Sequence, residues 1–268
     1  MNKETFQEIV MRRGRELYRD MPWRTNTDPY YVLVSELMLQ QTQVDRVISK
    51  FNTFVSRFSD IQQLAKAPLA DVLTAWNGLG YNRRAKFLHD AAKRTVNDFA
   101  GVIPGTLEEL TSLPGVGPNT AGAILAYSFN QPIIFIETNI RTVYFYHFFE
   151  DQDKVSDREL LKLMAETFPK DLSRSRQWYQ ALMDYGSYLK KQGVGRITKS
   201  IHYTKQTPLK GSLREVRGLI VRCLTLGDMN ESDLRAATVA DDRFDAALTG
   251  LIHDGLVSRT GLVFHLTK

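Results

Sequence analysis

The chain has 268 residues, 43% hydrophobic and 24% charged, enough for two compact domains with a sizeable core in at least one, which excludes pervasive disorder. Lys and Arg outnumber Asp and Glu by 35 to 30 and the isoelectric point is about 9.2, a balance that suits a polyanionic partner without requiring one. Cys223 is the sole cysteine, which excludes an internal disulfide, a thiolate zinc site and a cysteine-ligated iron–sulfur cluster and points to a reducing cytosol.

The opening M-N-K-E-T-F carries no apolar leader run, and no later stretch reaches the roughly 18 uninterrupted apolar residues of a membrane span, so a soluble protein is expected. Asp28 before Pro29 reads as an N-cap with a first-turn proline, and Tyr30 to Ser49 then predicts one long amphipathic helix. Within it Glu36 stands between Val32, Leu33, Val34 and Leu37, Met38, Leu39. A carboxylate there is either desolvated, which raises its pKa and suits it to donating a proton near neutrality, or exposed on the polar face beside Ser35.

Downstream, W-N-G-L-G-Y-N-R-R-A-K sets Gly78 and Gly80 before Tyr81, Arg83, Arg84 and Lys86. An aromatic on a tight turn beside cations can wedge into a base stack while the cations hold a phosphate backbone. The plainer alternative is a buried tyrosine with a solvated basic face. Thr106 and Glu109 form a capping-box pattern that opens a helix stopping at Pro114. In L-P-G-V-G-P-N-T-A-G-A, Leu113 to Ala123, Gly115 and Gly117 precede a helix whose first residue is Pro118. Such a turn directs backbone N–H groups outward beside a helix N-terminus, which suits a phosphate oxygen; an ordinary helical hairpin with a glycine C-cap is the alternative.

Glu137 leaves the apolar run P-I-I-F-I and is followed by Thr138 and Asn139. Two carboxylates are what cleavage of a glycosidic bond asks for, one to protonate the leaving group and one to answer the charge on the sugar. Glu137 also reads as the N-cap of a helix beginning near Ile140. Strand-like alternation is scarce until the C-terminus, so most of the chain reads as all-α. A polar, proline-containing link at Gln206 to Gly211 sets off a last piece. Helical patterns near Leu213–Leu226 and Arg243–His253 precede L-V-S-R-T-G-L-V-F-H-L, two short strands around a turn. This is a winged-helix-like domain, either a packing module or a second DNA-binding surface.

The motifs P-W-R at Pro22, D-P-Y at Asp28, V-S-E-L-M-L-Q-Q-T-Q-V at Val34, G-L-G-Y at Gly78, L-P-G-V-G at Leu113 and M-D-Y-G at Met183 run in order over about residues 5 to 190. Together they resemble the adenine-specific mismatch DNA glycosylases, within the helix-hairpin-helix superfamily related to endonuclease III. With the winged-helix-like domain read above at 208–268, an all-α fold class is expected, and the resemblance implies for 1–207 a two-lobed helix-hairpin-helix body. Its six-helix lobe would cover about 28–130 and its second lobe 1–27 plus 131–207. The resemblance implies that Glu36 protonates the base, that Gln40 and Gln41 enter the duplex near the target and that Tyr81 intercalates beside the opposite base. The hairpin residues Leu113, Gly115, Val116 and Gly117, with Asn119 and Thr120, would hold a DNA phosphate, often with a sodium or potassium ion on carbonyls near Gly115 and Gly117. The partner would be double-stranded DNA containing a mispair or damaged base, met by a monomer in the cytoplasm at the nucleoid.

Four departures shape the expectation. The family's second catalytic acid is an aspartate, where this chain has Glu137, with Asn139 at hand. The segment after Met183 lacks the family's cluster cysteines and reads S-Y-L-K-K-Q-G-V-G-R-I-T-K-S, so no iron–sulfur cluster is expected. Lys190, Lys191, Arg196 and Lys199 are expected to contact phosphates in its place. Asn119 stands where the endonuclease III branch has its Schiff-base lysine, which predicts a monofunctional enzyme without AP-lyase activity. The chain ends at Lys268 without the domain by which the adenine glycosylases recognise 8-oxoguanine. The resulting expectation is removal of adenine opposite guanine or 8-oxoguanine. The alternatives are thymine or uracil opposite guanine, or a non-catalytic lesion binder.

Overall fold

The computed structural model describes residues 2–239 and 241–268. The first helix, α1 (Lys3–Glu16), starts where the Asn2 side chain accepts from the Thr5 N–H, and the single turn α2 (Pro22–Thr25) starts on its proline. Asp28 Oδ1 accepts from the Tyr30 N–H at 2.8 Å and opens α3 (Pro29–Leu39). The single helix expected from Tyr30 to Ser49 is broken: Gln41 adopts a φ of 56°, and α4 (Val44–Arg57) begins after it. The cause lies on another helix. The Arg84 guanidinium binds the carbonyls of Leu37 and Met38 at 2.8 Å each, and that of Gln40, groups that would otherwise accept from the next helical turn.

Next come α5 (Ile61–Lys66), α6 (Leu69–Trp76) and α7 (Arg83–Asp98), whose apolar faces bury Leu64, Val72, Leu73, Trp76, Leu88 and Ala92. The Thr106 hydroxyl accepts from the Glu109 N–H to open α8 (Leu107–Ser112), and α9 (Pro118–Tyr127) follows the double-glycine turn. Glu137 caps α10 (Thr138–Phe148), and a Ser156–Glu159 capping box starts α11 (Asp157–Thr167). The long α12 (Ser175–Lys191) comes after it. The last segment runs α13 (Leu213–Leu224), β1 (Met229–Asn230), α14 (Glu231–Ala237), α15 (Arg243–His253), β2 (Val257–Thr260) and β3 (Val263–Leu266). Its antiparallel sheet has the order β1-β3-β2, with Val257 opposite Leu266 and Met229 opposite Phe264. This is a winged-helix arrangement at the end of a helical body, and α14 and β1 are elements the sequence pattern did not reveal.

Two compact units emerge, one of Met1–Val32, Gly105–Thr111 and Val116–Lys205, the other of Leu33–Pro104, Ser112–Gly115 and Gln206–Lys268. The expected six-helix lobe at about 28–130 differs from this grouping at α9, and the expected last domain at 208–268 is grouped with the second unit. Helix α9 joins the first unit because Ala123 and Ala126 enter its core with Phe6, Ile140, Tyr144, Trp178 and Tyr179. Gly122 permits this, since a Cβ there would stand 2.6 Å from Phe135 Cβ. The winged-helix segment packs within the second unit, where Asp254 faces Arg83 at 3.6 Å and Arg217 at 2.5 Å.

Two motifs flagged in the sequence meet inside the first unit. Asp184 of M-D-Y-G is buried and paired with Arg24 of P-W-R at 2.7 Å and with Arg19 at 2.6 Å. Two residues on, Gly186 lets α12 approach α10: a Cβ there would lie 2.1 Å from the Asn139 carbonyl oxygen. Among the described residues no helix is long and apolar enough to cross a membrane.

Candidate active site

In the second unit, the C-terminal half of α3 carries Glu36, half-buried among the fully buried Leu33, Val34, Leu37 and Met38. Gln40 and Gln41 follow where the helix stops. The second element is the turn at Gly78–Tyr81. Gly78 and Gly80 take φ of 97° and 72°, and Tyr81 itself is held at 49°, a conformation that L side chains adopt at a cost. The turn is fixed from beneath, for the Gly80 carbonyl accepts from Trp76 Nε1 at 3.2 Å and from Arg84 Nη2 at 3.1 Å.

Arg84 therefore joins the two elements. Its Nη1 gathers the α3 carbonyls, and its Nη2 reaches Thr42 Oγ1 at 3.0 Å and the Gly80 carbonyl. Burial pushes its pKa down to about 10, so it stays charged at neutral pH. The expectation that Arg84 contacts the DNA backbone is corrected: only 6% of it is exposed, and its planar fork satisfies the ends of protein elements. Arg83, by contrast, has a 59% exposed side chain. Tyr81 is half-buried, its hydroxyl accepts from Arg214 Nη1, and the guanidinium carbons of Arg214 and Arg84 lie 5.3 and 5.5 Å from its ring centre. Neither Arg214 nor Gln206, whose amide donates to Gln41 Oε1 at 3.3 Å, was a candidate site residue from the sequence, because only the fold brings the last segment to these positions.

The hairpin follows α8. Leu113 and Val116 bury their side chains as anchors, so backbone groups are what this turn can present. Gly115 has a φ of 77°, and a Cβ would stand 2.7 Å from Phe87 Cβ, so both conformation and space demand glycine. Its carbonyl accepts from Gln40 Nε2 at 3.4 Å, which ties the hairpin to the end of α3. Gly117 is the N-cap of α9 and nothing would obstruct a group beside its Cα. Thr120 lies half-buried in the first turn of α9.

In the first unit, Glu137 accepts from the Asn139 N–H at 2.6 Å as the N-cap of α10, so its capping role is realised. Burial pushes its carboxyl pKa up, opposed by the hydrogen bonds from Asn139 and Thr138 and by the charge of Lys190. Asn119 is exposed near the start of α9, and its Oδ1 accepts from the Ile136 N–H at 3.3 Å, one residue before Glu137. Glu36 and Glu137 thus belong to different units.

The basic segment behaves differently from the expectation that all four cations face phosphates. Lys190 and Lys191 are exposed. Arg196 pairs with Glu150 at 2.6 Å, and Lys199 Nζ donates to the carbonyls of Phe149, Glu150 and Gln152, at 2.6 Å to that of Glu150. A parallel bridge between Val155 and Ser200 completes the tie. These two cations fasten the chain after α12 to the end of α10, because the exposed carbonyls there have no helical partner.

A family model described as HhH-GPD superfamily base excision DNA repair protein matches residues 34–170. The adenine DNA glycosylase of Buchnera aphidicola subsp. Baizongia pistaciae is 36% identical over 172 residues, covering 64% of this chain and 48% of that protein. The adenine DNA glycosylase of Mycolicibacterium smegmatis is 30% identical over 261 residues, 90% of this chain and 89% of its own length. The chain thus spans about half the length of the first relative and most of the second. Among solved structures, a thermostable thymine-DNA glycosylase shares the fold with a TM-score of 0.62 at 24% identity, covering 69% of this chain and 86% of that one.

Proposed function

The chain belongs to the HhH-GPD superfamily of base excision DNA repair proteins, and on that premise we propose that it is a monofunctional DNA glycosylase that removes adenine mispaired with guanine or 8-oxoguanine. The observation that carries this reading is the convergence on Arg84. One buried guanidinium holds the end of α3, which bears Glu36, Gln40 and Gln41, against the turn that bears Tyr81. A relative named adenine DNA glycosylase that matches 90% of this chain supports adenine as the base.

The chemistry follows from the groups. The target nucleotide leaves the stack, and Gln40, Gln41 and Tyr81 fill or brace the gap. Glu36 gives its proton to the departing adenine, the electron pair of the N-glycosidic bond leaves with the base, and a water oxygen adds to the sugar carbon as its proton returns to the carboxylate. Glu137, ionised, answers the oxocarbenium-like charge, and the Asn139 N–H fixes its carboxylate. Asn119 provides no amine for a Schiff base, which supports hydrolysis without strand cleavage. A cysteine-ligated cluster does not fit a chain whose single thiol, Cys223, sits in α13, and no step needs one. A sodium or potassium ion on carbonyls near Gly115 and Gly117 would add positive charge for a phosphate; the Gly115 carbonyl keeps a lone pair for it beside the bond from Gln40.

Single-turnover base release tests the reading, on duplexes with adenine opposite guanine or 8-oxoguanine and with thymine or uracil opposite guanine. Strand breaks at adenine that need alkali, absent in Glu36→Gln while duplex binding persists, are expected. Cleavage at thymine or uracil alone replaces the substrate, and breaks without alkali remove the monofunctional assignment.

A further inference from the structure

The winged-helix segment has an outer face ill suited to a phosphate backbone. On α15 and the turn before it, Asp241, Asp242, Asp245, Thr249 and His253 are exposed, and Arg243 is spent on Asp241 at 2.6 Å. Arg235 is likewise spent on Asp245 at 2.5 Å. A helix that reads a groove needs free cations on that side, and this one offers carboxylates. Two cations of α13 are used elsewhere in the second unit, Arg217 on Asp254 at 2.5 Å and Arg214 on Tyr81. Arg214, on the first turn of α13, donates through Nη1 to the Tyr81 hydroxyl and lies 5.3 Å from the ring centre, while its Nη2 is anchored on the Thr207 carbonyl at 2.7 Å. The backbone of the Tyr81 turn is already fixed by Trp76 and Arg84, so what Arg214 adds is control of the phenol ring.

We propose that Arg214 is a positioning residue for Tyr81, and that through it the winged-helix segment sets how strongly the protein distinguishes a mispair from a matched pair. The inference rests on the glycosylase reading, in which Tyr81 enters the duplex. A ring held in place before binding loses no rotamer freedom on insertion, whereas a free one must be ordered at that moment.

The test is a double-mutant cycle of R214A and Y81F, read as the ratio of Kd for matched and mispaired duplexes, with 2-aminopurine beside the mispair reporting on stacking. Each single variant is expected to lower the ratio about fivefold, and the double variant no further, because both remove the same contact. R214K, which can still donate to the hydroxyl, is expected to recover part of the loss. Thermal melting of each variant excludes a fold defect, and Y81F, which removes one oxygen, keeps the test readable should R214A melt early. Multiplicative losses in the double variant, or a Y81F ratio equal to wild type, overturn the proposal even where adenine excision is intact. A wild type that discriminates in binding yet excises no adenine overturns the functional reading and leaves the cycle to decide on Arg214.

Discussion

Glu137 has conflicting tasks as the cap of α10 and as the carboxylate proposed to face a sugar cation. Burial raises its pKa above the ordinary range, while the Asn139 N–H and Lys190 pull it back. For a carboxyl raised on folding, the contribution to stability is full below the unfolded value of about 4.3 and is lost as pH rises through the folded value. Glu137→Gln is therefore expected to match wild type in melting temperature near about pH 4 and to exceed it near about pH 8, while base release falls. A melting difference independent of pH would show that the carboxyl ionises without penalty. The activity of wild type should in turn rise with pH through the same raised value, since only the ionised form answers the oxocarbenium charge.

The elements show where sequence logic sufficed and where it stopped. Asp28, the Thr106–Glu109 pair and the Arg243–His253 pattern were legible because caps and periodicity act within a few residues. The break after Leu39 was not, because its cause is a guanidinium on α7, and the run Arg83-Arg84 shows charge without direction. Glu36, Tyr81 and the hairpin glycines could be singled out in advance, whereas Arg84 as the link between the end of α3 and the Tyr81 turn, Arg214 as the partner of Tyr81 and Gln206 as that of Gln41 required the fold. Arg84→Lys is expected to cost about 3 kcal/mol in denaturant unfolding, since an ammonium cannot fork to several carbonyls and leaves buried acceptors unpaired. A loss under about 0.5 kcal/mol would mean that the end of α3 holds itself. Gly186→Ala sets a Cβ 2.1 Å from the Asn139 oxygen, so α10 must shift at a cost of about 1–3 kcal/mol, and excision should fall with stability because Glu137 caps that helix.

Across the whole molecule the count of 35 Lys and Arg overstates what a polyanion can meet, since many of these cations are committed to partners within the protein. The segment after Met183 shows the division most clearly: Arg196 and Lys199 bind Glu150 and backbone carbonyls, while Lys190 and Lys191 remain exposed. Each neutralised phosphate contributes about 0.9 to the slope of log affinity against log salt. The double variant K190Q/K191Q is accordingly expected to flatten that slope by about 1.8 with little change in melting temperature. In R196Q/K199Q the slope should hold and the melting temperature fall, because the carbonyls of Phe149, Glu150 and Gln152 lose their donor. An unchanged slope in the first pair would remove this segment from the DNA interface. Lys190 also links the two measurements, for its charge lowers the Glu137 pKa. Its neutralisation alone should therefore move the acid limb of the activity profile to higher pH, an effect that Lys191→Gln, if it acts only on phosphate, should lack.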